Sequence, residues 1–300
     1  MQISTNSYFR QSTDNFQELK TQAAKLQEQI ATGKKITSAS DDPVAFSDLA
    51  LLKARDLRLA QYNRNIDVAR QTLTLEDASL QQASNLLIRV KELAITGSND
   101  SLSPGDRKLV AIEVKGLEES LLQIANTLDS NGLPIFGGFS SGMPFQRQVD
   151  ESIVYRGDAN KTQQAVGDDA FVTVGFSGHE VFNRVPMGNG ASKSVFEIVK
   201  AVGDALADGK SPLTPNDDIA KALDHIIGQQ AEVGSRLSLL DNAEQKLQDN
   251  QTATTAQISM LQDTVIEQAV TELQKKLTTL EAAQTSFVKI AQLSLFNYLR

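Results

Sequence analysis

The chain has 300 residues, of which 40% are hydrophobic and only 5% aromatic, with no tryptophan. That balance suits a folded protein whose apolar residues are buried in narrow helix seams rather than in one broad core. A net charge of -8 with no basic run argues against nucleic acid as a partner, and the absence of cysteine excludes disulfides, thiolate metal sites and cysteine nucleophiles.

Residues 1–10 lack the basic start and apolar core of a signal peptide, and no apolar run approaches the ~18 residues of a membrane span. A chain that is soluble or exported by an unusual route is expected. From Phe9 the apolar positions run Phe9, Phe16, Leu19, Ala23, Leu26 and Ile30, a three-four spacing that makes a seam on one helix face. Gly33 ends that helix, and Asp42 before Pro43 reads as an N-cap followed by proline at the first helical position. The second helix repeats an aliphatic residue every seventh position, at Leu52, Leu59, Ile66, Leu73, Leu80 and Leu87. Tyr62, Ala69, Ala83 and Val90 follow most of these by three. Carried to Thr96, some fifty residues make a rod on the order of 75 Å long.

Ser103-Pro104 restarts a helix whose seam is Val110, Val114, Leu117, Leu121, Ile124 and Leu128, folded back antiparallel to the rod. Glycine pairs then break the pattern, and 153–156 and 171–176 have strand character. A short helix near 192–207 precedes a long one opened by Thr214-Pro215, with Ile219, Leu223, Ile226, Val233, Leu237, Leu240, Leu247, Ile258 and Leu261 in register. The last seam is Ile266, Val270, Leu273, Leu277, Leu280, Phe287 and Ala291, ending in Leu295, Phe296, Tyr298 and Leu299.

The expected fold is mainly α: an elongated antiparallel helical bundle with paired terminal coiled-coil helices and a small β-rich insert. Residues 1–33 and 265–300 form the terminal coiled coil, 34–130 and 191–264 the helical rods, and 131–190 the insert. Because the rods carry facing seams of their own, the insert is expected to be dispensable for folding.

Catalytic chemistry is hard to find. His179-Glu180 could begin a zinc-protease motif, but Asn183 stands where its second histidine belongs, and His225 has no partner in view. The stretch Gly137-Gly138-Phe139-Ser140-Ser141-Gly142 lacks the Lys-Ser/Thr of a phosphate loop. Asp41-Asp42 and Asp217-Asp218 sit at helix starts, where capping explains them. Asp168-Asp169 lacks the further spaced ligands of a cation site. No enzyme activity, cofactor or metal is expected.

Several stretches resemble conserved segments of the bacterial flagellin-like family. They are Ile3-Ser4-Thr5-Asn6, Gly33-Lys34-Lys35-Ile36, Ser40-Asp41-Asp42-Pro43, Arg89-Val90-Lys91-Glu92-Leu93-Ala94, Val233-Gly234-Ser235-Arg236-Leu237 and Leu293-Ser294-Leu295-Phe296-Asn297-Tyr298-Leu299. The likeness covers about residues 1–130 and 191–300. Asp42-Pro43-Val44-Ala45, and Ile135-Phe136-Gly137-Gly138-Phe139 followed by Pro144-Phe145, resemble the family's hook-filament junction members more than ordinary flagellin, which usually has alanines after its two aspartates.

The resemblance implies a structural adaptor of the flagellum that lets flagellin polymerise on the hook, exported through the flagellar secretion system without a cleaved signal and placed outside the cell. It implies copies of itself in a ring or helical assembly, hook-associated protein 1 and flagellin as partners, and a flagellar export chaperone on the C-terminal helix. The assembly residues it singles out are Phe9, Phe16, Leu19, Leu26, Ile30, Leu273, Leu277, Leu280, Phe287, Leu295 and Phe296. Leu87, Arg89, Glu92 and Leu93 match a flagellin stretch used for packing between subunits, and Asp42 and Pro43 mark the helix start. The alternatives are a short flagellin subunit of the filament and a surface glycan-binding homologue.

Overall fold

The computed structural model describes residues 2–188 and 190–298, with side chains described throughout these except in 2–6, 213–216 and 292–298. The chain is mainly helical, in the order α1 (Gln2–Thr32), α2 (Pro43–Gly97), α3 (Pro104–Ala125), β1 (Phe145–Arg147), β2 (Ile153–Tyr155), β3 (Thr162–Ala165), β4 (Phe171–Val174), α4 (Gly178–Phe182), β5 (Val185–Pro186), β6 (Ser192–Lys193), α5 (Val195–Ala207), α6 (Leu213–Gln262) and α7 (Ile266–Tyr298). The strands form three separate antiparallel pairs, β1 with β2, β3 with β4 and β5 with β6. The two expected strand segments therefore pair with near neighbours in sequence and not with each other.

Local chemistry sets the helix ends. Ser103 caps α3 by accepting from the Asp106 N–H at 3.1 Å, with Pro104 at the first helical position. Ser194 and Glu197 cap α5 reciprocally: the Ser194 hydroxyl accepts from Phe196 N–H, and the Glu197 carboxylate accepts from Ser194 N–H at 2.9 Å. Gly33, at φ +69°, ends α1 in the left-handed conformation that glycine takes without strain.

Two compact units result, one from residues 1–58 and 250–300, the other from 59–249. In the first, α1 and α7 run antiparallel, since Phe9 meets Phe287 while Lys34, past the other end of α1, bridges Asp263. The Lys35 N–H donates to the Gln262 carbonyl at 2.6 Å and the Thr264 N–H to the Gly33 carbonyl at 2.9 Å, fixing the turns beside each other.

The second unit holds the continuous core. On α2 it includes Leu59, Ile66, Leu73, Leu80 and Leu87, and on α6 Ile219, Ile226, Val233, Leu240 and Leu247, all buried. Arg70 bonds Asp241 at 2.8 Å and Glu244 at 2.7 Å, and Gln81 accepts from Gln230 at 2.9 Å, so the two helices pass antiparallel.

The insert, expected from the sequence to be dispensable for folding, packs into this core. Phe136, Phe145 and Phe182 are fully buried with Phe196 of α5. Phe182 meets Phe136 edge-on at 5.2 Å and Phe145 at 5.5 Å, and Phe145 lies 5.2 Å from Phe196. Asn126, at the end of α3, pairs with the Phe145 backbone through two 2.9 Å hydrogen bonds. Arg147 reaches from β1 to Glu118 and Glu119 of α3, both at 3.0 Å. A Cβ on Gly178 would lie 2.7 Å from the Phe145 ring, so the cluster leaves no room there. The insert supplies most of the large aromatic volume of this core.

Phe145→Ala should therefore lower the stability of this unit by about 3–5 kcal/mol in urea denaturation. Replacing residues 131–190 by a short Gly-Ser bridge should abolish its cooperative unfolding transition, and a bridged chain that still unfolds cooperatively would show the aromatic cluster to be dispensable.

Candidate assembly surface

The α1 and α7 seams meet through aromatic rings. Phe287 sits edge-on to Phe9 at 5.1 Å and to Phe16 at 5.5 Å. Leu19, Leu26, Ile30, Leu273 and Leu280 are half-buried along the same pairing, whereas Leu277 is exposed and lies off the stripe. The side chains of Leu295 and Phe296 lie outside the described residues. In this unit the buried hydrophobic residues, among those described, are Ala23, Ile36, Leu49 and Ala269. Ala23 belongs to the seam read from the sequence, whereas Ile36, Leu49 and Ala269 fall outside it.

The unit exposes large apolar groups as well. Leu51, Leu57, Met260, Val265, Val288 and Ile290 all face solvent, with Met260 81% exposed. Two helices paired along one stripe cannot cover such residues, so this unit presents an apolar exterior around a thin core.

Between α1 and α2 the two aspartates have different tasks. Asp42 caps α2, its Oδ1 accepting from Val44 N–H at 3.1 Å and Ala45 N–H at 3.0 Å. Asp41 does not cap, contrary to the sequence expectation. Its Oδ2 accepts the Thr37 and Ser38 N–H groups, each at 2.9 Å, and its Oδ1 pairs with Lys25 of α1 at 2.8 Å. The Lys25 ammonium first, and then these two amides, hold its carboxyl well below the usual carboxylate range.

The stretch Leu87, Arg89, Glu92, Leu93 divides by face. Leu87 is fully buried and Leu93 is 5% exposed, so both belong to the chain's own core. Arg89 and Glu92 face out, with Arg89 bonded to Glu92 at 3.0 Å and to Glu113 of α3 at 2.7 Å.

The residues weighed for catalysis have structural tasks. The His225 ring Nε2 is 2.9 Å from the Glu180 carbonyl oxygen, and Asp168 accepts from the Tyr62 hydroxyl at 3.1 Å. Gly138, at φ +67°, presses against Asp158, whose carboxylate accepts from Phe139 N–H. Among the described residues no cluster of three His, Asp or Glu side chains could hold a metal ion, and no helix is long and apolar enough to cross a membrane.

Residues 3–141 match the family model of the bacterial flagellin N-terminal helical region. The chain is 27% identical to flagellar hook-associated protein 3 of Escherichia coli K12 over 317 aligned positions, covering 99% of both proteins. It is 24% identical to flagellin of Listeria monocytogenes, covering 97% of this chain and 92% of that one. Its fold is similar to the crystal structure of flagellar hook-associated protein 3 from Legionella pneumophila, with a TM-score of 0.67 and 23% identity, over 71% of this chain and 98% of the other.

Two substitutions probe the first unit. Phe287→Asp should lower hydrogen-exchange protection along residues 19–30 while leaving the Leu73 and Leu80 amides unchanged, because the charge enters only the terminal pairing. Asp41→Asn should speed exchange of the Thr37 and Ser38 amides. Asp41 stabilises the turn as a carboxylate with a lowered pKa, so the difference from wild type should persist down to about pH 4 and shrink only below it. A difference that vanishes already at pH 6 would contradict that assignment.

Proposed function

We propose that this chain, which belongs to the bacterial flagellin-like family, is a structural adaptor at the junction between the flagellar hook and its filament, on which flagellin polymerises. The observation that carries the reading is the likeness to hook-associated protein 3, which extends over 99% of both chains and so includes the insert. The aromatic cluster gives that likeness physical content. Phe136 and Phe145, within the segments that set the chain apart from ordinary flagellin, are core residues.

The adaptor acts by assembly and performs no catalysis. Its terminal unit buries four hydrophobic residues among those described. Ordering a residue costs about 1–2 kcal/mol, so burial within one chain leaves the helices marginal. Neighbouring subunits complete the core: the Phe9, Phe16 and Phe287 seam closes within the chain, and exposed groups such as Val288 and Ile290 pack against the next copy, hook-associated protein 1 on one side and flagellin on the other. Before export, the C-terminal helix is held by a chaperone that covers the same apolar residues. The protein then travels through the flagellar secretion system without a cleaved signal and functions outside the cell. In the subunit-packing stretch, Arg89 and Glu92 are the side chains available to a neighbour.

Deleting the gene separates this reading from a minor filament flagellin. Cells without the adaptor should keep their hooks, lose filaments and shed flagellin monomers into the medium. Cells lacking a minor flagellin should retain filaments of near-normal or reduced length, and that outcome would overturn the proposal.

A further inference from the structure

The heptad columns on α2 contain one charged interruption. Three residues after successive stripe positions come Tyr62, Ala69, Glu76, Ala83 and Val90, and Glu76 is fully buried. Its Oε1 accepts the Phe176 backbone N–H at 2.9 Å, while its Oε2 is buried with no hydrogen-bond partner. Phe176 is itself buried, in the link between β4 and α4.

The charged groups around this contact are committed elsewhere. Arg236 of α6 stacks its guanidinium 4.1 Å from the Phe176 ring centroid, donates to the Thr173 and Gly175 carbonyls and pairs with Glu232 at 2.6 Å. Lys161, before β3, lies 5.8 Å from the same ring and pairs with Glu180 of α4 at 2.5 Å. Among the described residues no cation hydrogen-bonds Glu76, which therefore occupies a site suited to a neutral carboxyl rather than a carboxylate.

We propose that Glu76 is a proton-operated latch on the segment from β4 to α4: its neutral carboxyl closes onto the Phe176 amide, and its ionisation favours release of the segment from α2. Gly175, at φ +90°, provides the backbone freedom next to the contact. Burial pushes the Glu76 carboxyl up to about 8, against the opposing pull of the Phe176 N–H and the Arg236 charge. Release returns the group to water and to its ordinary value of 4.5. The closed state thus holds a proton that the open state gives up between these values. Closure is fully favoured below about pH 4.5, weakens as pH rises and levels off above about pH 8.

The test is amide hydrogen exchange at Phe176 and its neighbours in the full chain between pH 5 and 9, corrected for the intrinsic rate. Protection in the wild type should fall by about tenfold per pH unit up to pH 8 and then plateau, whereas Glu76→Gln, neutral at every pH, should give a flat profile. A flat wild-type profile, or the same slope in Glu76→Gln, would overturn the latch. Should the variant fail to fold, carbon-13 observation of the glutamate carboxyls in the wild type decides the matter. A Glu76 signal titrating near pH 8 supports the proposal, and one titrating in the ordinary carboxylate range refutes it.

Discussion

The second unit depends on two heptad stripes meeting face to face. Leu59 to Leu87 on α2 and Ile219 to Leu247 on α6 each place an aliphatic residue every seventh position, and each of those residues is buried. A period of seven keeps such a stripe on one helix face over many turns, which a scattered apolar pattern would not do. Once the stripes are joined, α3 and α5 cover a flank through Val114, Leu121, Val199 and Val202, and the insert closes the remainder with phenylalanine rings. Small and aliphatic side chains suffice between helices, where approach is close. Beside the short strands the buried side chains include the phenylalanine rings of Phe136, Phe145, Phe176 and Phe182.

The terminal unit follows the same spacing and reaches a different outcome. Its stripe residues remain half-buried because a pair of helices encloses a seam from one side only, and its few buried hydrophobic residues include two alanines. Polar contacts add to the pairing: Asp41 to Lys25, Gln251 to Asp56, and the backbone exchange around Gly33 and Gln262. A unit built in this way leaves large apolar side chains such as Leu51, Leu57 and Met260 exposed.

This difference also explains what could be read from the sequence. Helices and their facing stripes were legible because a regular period survives without knowledge of the tertiary partner. The helix starts at Asp42 and Ser103 were legible, since capping is local chemistry, whereas the Ser194 cap lies inside the helix expected near 192–207. The aromatic cluster was not legible, because Phe136, Phe145, Phe182 and Phe196 are separated by turns and no period links them. Nor was the face of Leu87 and Leu93: family likeness marked a stretch that packs between subunits, and only the three-dimensional core shows that these two point inward while Arg89 and Glu92 point out. Asp41 was misread for a related reason, as two adjacent aspartates before a proline look equivalent until Lys25 is brought beside one of them.

The heptad stripes alone leave the pairing register open. Sliding α6 along α2 by seven residues would set most aliphatic positions opposite one another again, at the loss of only the end pair, so apolar burial discriminates weakly between the two arrangements. The polar pairs do not survive the slide. Arg70 would leave Asp241 and Glu244, Gln81 would leave Gln230, and Arg236 would be carried off the Phe176 ring. Glu76 adds a sharper constraint, since its carboxyl is buried where the Phe176 amide waits for it and would otherwise be sealed with neither oxygen bonded. A lone acidic residue in an otherwise apolar column therefore costs stability but sets the register, and it ties the position of the insert to that of the two long helices.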